Sequence, residues 1–164
     1  MTRSFAVLVV CHANTARSVM AEALLRRMLA DRDLSERVRV DSAGIATWAR
    51  DGMLPSLDAR LVLREVGVEL PPGGGSRDLR RHRALLADAD LVLVMSQRQR
   101  EEVSELAEGE GKSIFTLREF AGEAGDIADP ASQGEETFRA CRDEIHRCLE
   151  RSIDRLVGQL QPTT

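Results

Sequence analysis

Phe5-Ala6-Val7-Leu8-Val9-Val10-Cys11-His12-Ala13-Asn14-Thr15-Ala16-Arg17-Ser18 runs from an unbroken β-prone segment into a short loop and then a helical pattern. Six apolar residues without alternation are what a strand buried on both faces requires. After Arg17 the apolar positions Met20, Leu24, Leu25, Met28 and Leu29 return at helical spacing. The stretch therefore predicts strand, loop and helix in immediate succession.

Working outward, Val38 and Val40 predict a second strand ending at Ser42-Ala43-Gly44. Leu61, Val62 and Val66 suggest a helix starting after Ser56 or Asp58, and Pro71-Pro72-Gly73-Gly74-Gly75 reads as a surface loop. Leu91 to Met95 is a third buried strand, after which Ser96 caps a charged helix through about Leu106. Gly109 to Lys112 turns the chain into a fourth strand, Ser113-Ile114-Phe115. A last helix opens near Gly134 or Glu135 with the stripe Phe138, Cys141, Ile145, Cys148, Leu149, Ile153, Leu156 and Leu160. Strands alternating with helices predict a three-layer, doubly wound α/β fold. Its four-stranded parallel sheet has the order 2-1-3-4, with helices on both faces. One domain is expected over residues 1–164. In such sheets ligands bind beyond the carboxyl ends of the strands at the topological switch, and Cys11 falls there.

Composition narrows the classes further. Hydrophobic residues make up 43% and charged residues 30%, against disorder. A net charge of −4 argues against a nucleic-acid partner. The opening ten residues resemble a signal peptide but lack a small-residue cleavage site, and no apolar run is long enough to span a membrane. Cys11, Cys141 and Cys148 form no disulfide framework and fit a reducing cytoplasm. No Cys or His spacing suits a metal, so neither metal nor cofactor is expected.

The loop carries the chemistry. Cys11 and Arg17 stand at its two ends, with His12, Ala13, Asn14, Thr15, Ala16 and Ser18 completing an oxyanion-binding turn. Backbone N–H groups of such a turn converge on one centre, and the following helix N-terminus adds partial positive charge. The planar fork of Arg17 can hold two phosphoryl oxygens. Helix termini and cations favour a thiolate over a thiol, the form needed for attack at phosphorus. Ser18 can stabilise that thiolate, and Asn14 can brace the loop. The leaving group needs a proton donor; Asp129, fixed by Pro130, emerges at the same sheet edge, with Asp126 as its competitor.

With these pieces in place the chain resembles the low-molecular-weight protein tyrosine phosphatase family. The matching runs are Val10-Cys11 through Arg17-Ser18-Val19-Met20-Ala21-Glu22, Asp41 to Gly44, Ala89 to Met95, and Asp129-Pro130. The resemblance implies nucleophile Cys11, phosphate-binding Arg17, thiolate-stabilising Ser18, general acid Asp129 and a bracing pair, Asn14 with Ser42. It also implies a phosphorylated protein or peptide substrate. Trp48 matches the aromatic wall beside the substrate, or else caps the core. Thr15 and the run Ile114 to Phe120 look like the family's bacterial protein-arginine phosphatases.

Ala13 stands where the family usually has glycine, which implies strain if that position needs a positive φ. Ala16 replaces a second cysteine, Val19 a helix-starting proline and Ala131 an aromatic residue. These departures keep a non-catalytic anion-binding module open. A thioredoxin-coupled arsenate reductase would need Cys141 and Cys148 as resolving thiols. Seven residues of helix hold these about 10 Å apart, and both lie on the apolar stripe. His12 either tunes the thiolate or touches solvent; His82 and His146 read as surface residues.

Overall fold

The computed structural model describes residues 3–160. Met1 and Thr2, the first residues of the signal-like run, and residues 161–164, the end of the expected domain, lie outside them. Four strands, β1 (Phe5–Cys11), β2 (Val38–Gly44), β3 (Leu91–Val94) and β4 (Ile114–Thr116), form one sheet in the order β2-β1-β3-β4. Every pairing is parallel. The predicted order 2-1-3-4 is the observed one.

The alternation of strand side chains divides the core. Val7, Val9 and Cys11 of β1 pack on one face with Met20, Leu24, Ile145 and Leu149. Leu8 and Val10 pack on the other with Ile45, Leu79, Leu86 and Val103. The first face carries α1 (Arg17–Asp31), α2 (Leu57–Glu65) and, farther along, α5 (Leu117–Phe120) and α6 (Glu135–Gly158). The second carries α3 (Arg83–Ala87) and α4 (Gln97–Ser104). Both faces of the sheet are thereby closed, which explains the unbroken apolar runs. No helix among the described residues is long and apolar enough to cross a membrane.

Element boundaries differ from expectation in instructive places. Cys11 is the last residue of β1, registered opposite Gly44, rather than the first of the loop. The third strand stops at Val94, and the fourth shifts one residue to end at Thr116, the partner of Val94. Thr116 then caps α5 through a reciprocal box with Glu119. Four residues complete barely one turn, so α5 left no period to read; the same holds for the five of α3. Ser96 caps α4 as expected, accepting from Gln99 N at 3.2 Å. That helix ends at Ser104, and Ala107–Gly109 form a 3-10 turn instead of a continuation to Leu106. The stripe of α6 is buried from Phe138 to Leu156, while Leu160 packs partly buried just beyond its end.

Candidate active site

The loop between β1 and α1 wraps around the Cys11 sulfur. Asn14 N–H points at Cys11 Sγ from 3.3 Å, and Ser18 Oγ lies 3.0 Å from the same sulfur. Asn14 holds a positive φ of 62°, a region that asparagine tolerates better than other non-glycine residues. Ala13 is not among the positive-φ residues, so the strain expected there is absent and falls one residue later, where the side chain suits it. Asn14 Nδ2 donates to Ser18 Oγ at 2.8 Å and to Ser42 Oγ at 2.9 Å. The structure thus brings Asn14 and Ser42 into hydrogen-bond contact, with Ser18 on the same amide nitrogen.

Gly44 permits the loop to sit this low. A Cβ there would lie 2.6 Å from the carbonyl oxygen of His12 and 2.9 Å from the carbonyl carbon of Ala13. Those are backbone atoms that no rotamer change can move. Ile45 N–H donates to Cys11 O at 3.0 Å and Ala46 N–H to His12 O at 3.1 Å, tying β2's exit to the loop. The sequence marks Gly44 as the end of a strand and of a matched run; the physical reason for glycine is a contact between distant segments, which no local pattern reveals.

Arg17 begins α1 and is 5% exposed. One terminal nitrogen donates to Ile127 O at 2.7 Å, and the other lies 3.8 Å from Asp129 Oδ2. The first turn of α1 has no side-chain cap and no acidic residue. Its partial positive charge therefore faces the loop without a carboxylate from its own first turn. Asp129 is half exposed and accepts from Ala131 N–H at 3.0 Å through Oδ1. Asp126, the competitor, instead accepts from Gln97 N–H at 3.0 Å at the start of α4.

Cys11, Ala13, Thr15, Ala16, Arg17 and Asp129 line one cleft of about 350 Å³. Trp48 and Ala131 are also on its walls. Trp48 is 60% exposed, which excludes the core-capping alternative. Ser56 N–H donates to Thr15 O at 2.8 Å, joining α2's start to the loop, a contact the sequence did not suggest.

The remaining thiols and histidines fall outside this centre. Cys148 is fully buried. Cys141 is buried with its sulfur 3.9 Å from Ala128 O, and burial pushes its thiol up to about 12. Burial also raises Cys148. Neither is an available thiolate, as the core-packing reading expected. His12 does not simply face solvent: its Nε2 is 3.8 Å from Glu102 Oε1. His82 meets Asp51 at 3.0 Å and His146 meets Glu150 at 2.8 Å, both at the surface. Among the described residues no group of three or more His, Cys, Asp or Glu is arranged to hold a metal ion.

The sequence model of the family described as low molecular weight phosphotyrosine protein phosphatase matches residues 6–161. The chain belongs to this family. It is a family of cysteine-based phosphatases, and Cys11 occupies the expected N-terminal loop position. Among relatives, a protein-arginine-phosphatase of Geobacillus stearothermophilus is 36% identical, covering 96% of this chain and 97% of its own. A probable low molecular weight protein-tyrosine-phosphatase, EpsP of Ralstonia nicotianae, is 33% identical, covering 92% and 94%. The solved structure of the tyrosine phosphatase Wzb from Escherichia coli K30, in complex with sulphate, superposes with a TM-score of 0.78 at 26% identity. It covers 94% of this chain and 99% of that one. Phosphatase membership thus accounts for the fold, the loop and the cleft together, and it is a better fit than an arsenate reductase or an inert anion-binding module.

Proposed function

We propose that this phosphatase hydrolyses phosphorylated protein side chains, phosphotyrosine first, through a phosphocysteine on Cys11. The observation that carries the reading is the Ser18 hydroxyl 3.0 Å from the Cys11 sulfur, in one cleft with Arg17 and Asp129. In the first step the Cys11 thiolate forms a bond to phosphorus as the P–O bond to the leaving group breaks. Asp129 gives its proton to the departing oxygen. Arg17 and the loop amides hold the equatorial oxygens as charge spreads over them. In the second step Asp129 takes a proton from water, which attacks phosphorus and breaks the P–S bond. The Ser18 hydroxyl stabilises the sulfur as it leaves, and inorganic phosphate departs. Trp48 supplies an aromatic face for the leaving group.

Phosphoarginine is the second reading, favoured by Thr15 on the cleft wall and by Asp58 and Asp129 on the same lining. Two carboxylates suit a planar cationic leaving group. The three cysteines, all unpaired, support work in a reducing compartment such as the cytoplasm.

Turnover of p-nitrophenyl phosphate, followed by phosphotyrosine and phosphoarginine peptides at equal concentration, tests both levels. Cys11→Ser is expected to abolish turnover while vanadate still binds, and chelators are expected to change nothing. Near-normal turnover by Cys11→Ser would overturn the nucleophile. A phosphoarginine preference would overturn only the substrate.

A further inference from the structure

Ser76 lines no part of the catalytic cleft, yet it is 4% exposed and all of its polar atoms are engaged. Its Oγ accepts from Met53 N–H at 2.9 Å and donates to Arg50 O. A backbone N–H only donates and a carbonyl only accepts, so the single hydroxyl proton has one place to go and both bonds have a fixed direction. The backbone of Ser76 repeats the pattern. Its N–H donates to Met53 O at 2.9 Å, and Gly52 N–H donates to its carbonyl at 2.8 Å. One residue thus makes four hydrogen bonds to the segment 50–53. A Cβ on Gly75 would lie 2.9 Å from Gly52 Cα, so the two segments meet backbone to backbone.

The segment 50–53 belongs to the wall of the catalytic cleft: Met53 lines the cleft directly, and so does Trp48, two residues before Arg50. The residue after Ser76 serves the other side of the site. Arg77 N–H donates to Asn14 Oδ1 at 2.9 Å, holding the amide that contacts Ser18 and Ser42. Asp78 N–H then returns to the wall, donating to Asp51 Oδ1 at 2.8 Å. These three residues are themselves fastened to the end of β2. Gly44 N–H donates to Arg77 O at 2.8 Å, and Leu79 N–H donates to Gly44 O at 2.9 Å. Wall and catalytic loop are therefore held by adjacent residues of one anchored segment.

We propose that Ser76 is a positioning residue for the substrate: its hydroxyl fixes the wall formed by Trp48 and Met53 over the Cys11 loop. It touches neither substrate nor sulfur and acts only through those two side chains. Without the hydroxyl, Arg50 O and Met53 N–H lose their shared partner. Both residues are exposed, so water can replace it there, and the wall loosens while the anchored segment stays in place. The consequence for turnover rests on the phosphatase reading; the consequence for the motion of Trp48 does not.

The test measures Ser76→Ala with p-nitrophenyl phosphate, whose ring reaches the wall, and with inorganic phosphate as an inhibitor confined to the loop. Partial loss of the ring contact predicts KM up about twofold to fivefold, with kcat and phosphate inhibition unchanged. Adding Ser76→Ala to Trp48→Ala/Met53→Ala is expected to raise KM no further. An unchanged KM in Ser76→Ala, an equal weakening of phosphate, or a further rise in that background would overturn the proposal. A separate arm uses Trp48, the single tryptophan, whose fluorescence anisotropy decay reports the wall directly. Ser76→Ala is expected to show a larger fast component than the wild type. That arm needs no turnover: an inactive wild type with the anisotropy difference intact overturns the phosphatase reading and leaves the role of Ser76 standing, whereas equal decays overturn that role.

Discussion

Arg17 donates to the carbonyl of Ile127 at 2.7 Å, and this bond decides which edge of the guanidinium is left for the cleft. Ile127 N–H is itself fixed to Met95 O at 2.8 Å, just past β3. The arginine is therefore anchored to the segment that carries Asp129, and its orientation is set before any anion arrives. Lysine has no fork with which to hold a carbonyl and two oxygens together. Arg17→Lys is expected to lower kcat/KM for p-nitrophenyl phosphate by about 100-fold, through lost charge-assisted bonds. A buried carbonyl without a donor also costs about 1–3 kcal/mol, visible in urea unfolding. Retention of wild-type kcat/KM by this variant would show that the guanidinium is not the oxyanion holder.

Gly44→Ala tests the floor of the loop. The new Cβ would meet His12 O at 2.6 Å, so the loop must rise or β2 must retreat. Overpacking of this kind costs about 1–3 kcal/mol. A displacement approaching 1 Å between reacting groups costs about 100-fold in rate. We expect both a lower melting temperature and a kcat reduced by roughly that factor. A folded, stable variant with an undiminished kcat would mean that loop height does not govern catalysis.

Stability should respond to acid through Glu65. Arg139 donates to its Oε1 at 2.8 Å, linking α2 to α6, and Arg142 reaches the same oxygen at 2.8 Å. The bond from Arg139, with a smaller contribution from Arg142, holds the Glu65 carboxyl down at about 2 against an ordinary 4.5. A depressed folded-state value means the contribution is fully present above about 4.5 and is lost as pH falls through about 2. Glu65→Gln is expected to be less stable at neutral pH and to show a flatter stability curve across that acidic window. Parallel curves for the two proteins would remove Glu65 from the acid response.

Much of this was legible because it is periodic or adjacent in the chain. Unbroken apolar runs gave β1 and β3, and the stripe from Phe138 to Leu156 gave α6, since burial repeats along the chain at the spacing of the element. Cys11 and Arg17 were legible as the ends of one loop. Gly44 against His12, Ser56 against Thr15, and Ile127 against Arg17 were not. Each joins segments separated by many residues through backbone atoms, and backbone atoms have no residue type to read. The short helices α3 and α5 escaped for a different reason: one turn fixed by a cap or a crossover leaves no repeat. The misplaced strain at Ala13 came from judging a residue type without its φ.

Specificity should reside in the rim rather than in the loop. Trp48, Met53, Leu54 and Leu57 are the exposed large hydrophobic residues of the described chain, and they fall within ten positions beside the cleft. Trp48 and Met53 line the cleft itself, whereas Leu54 is 73% and Leu57 65% exposed. An aromatic leaving group against Trp48 gains about 0.5–1.5 kcal/mol beyond area burial, so Trp48→Ala is expected to weaken kcat/KM for p-nitrophenyl phosphate about threefold to tenfold. That loss should appear in KM, because the ring contact exists before and during the reaction. Leu54→Ser and Leu57→Ser lie farther out, where only a longer substrate reaches. They are expected to leave p-nitrophenyl phosphate unaffected and to weaken a phosphopeptide with apolar flanking residues severalfold, by partial loss of about 1.5–3 kcal/mol per fully buried side chain. Equal losses on both substrates would place these leucines in the scaffold, not in recognition.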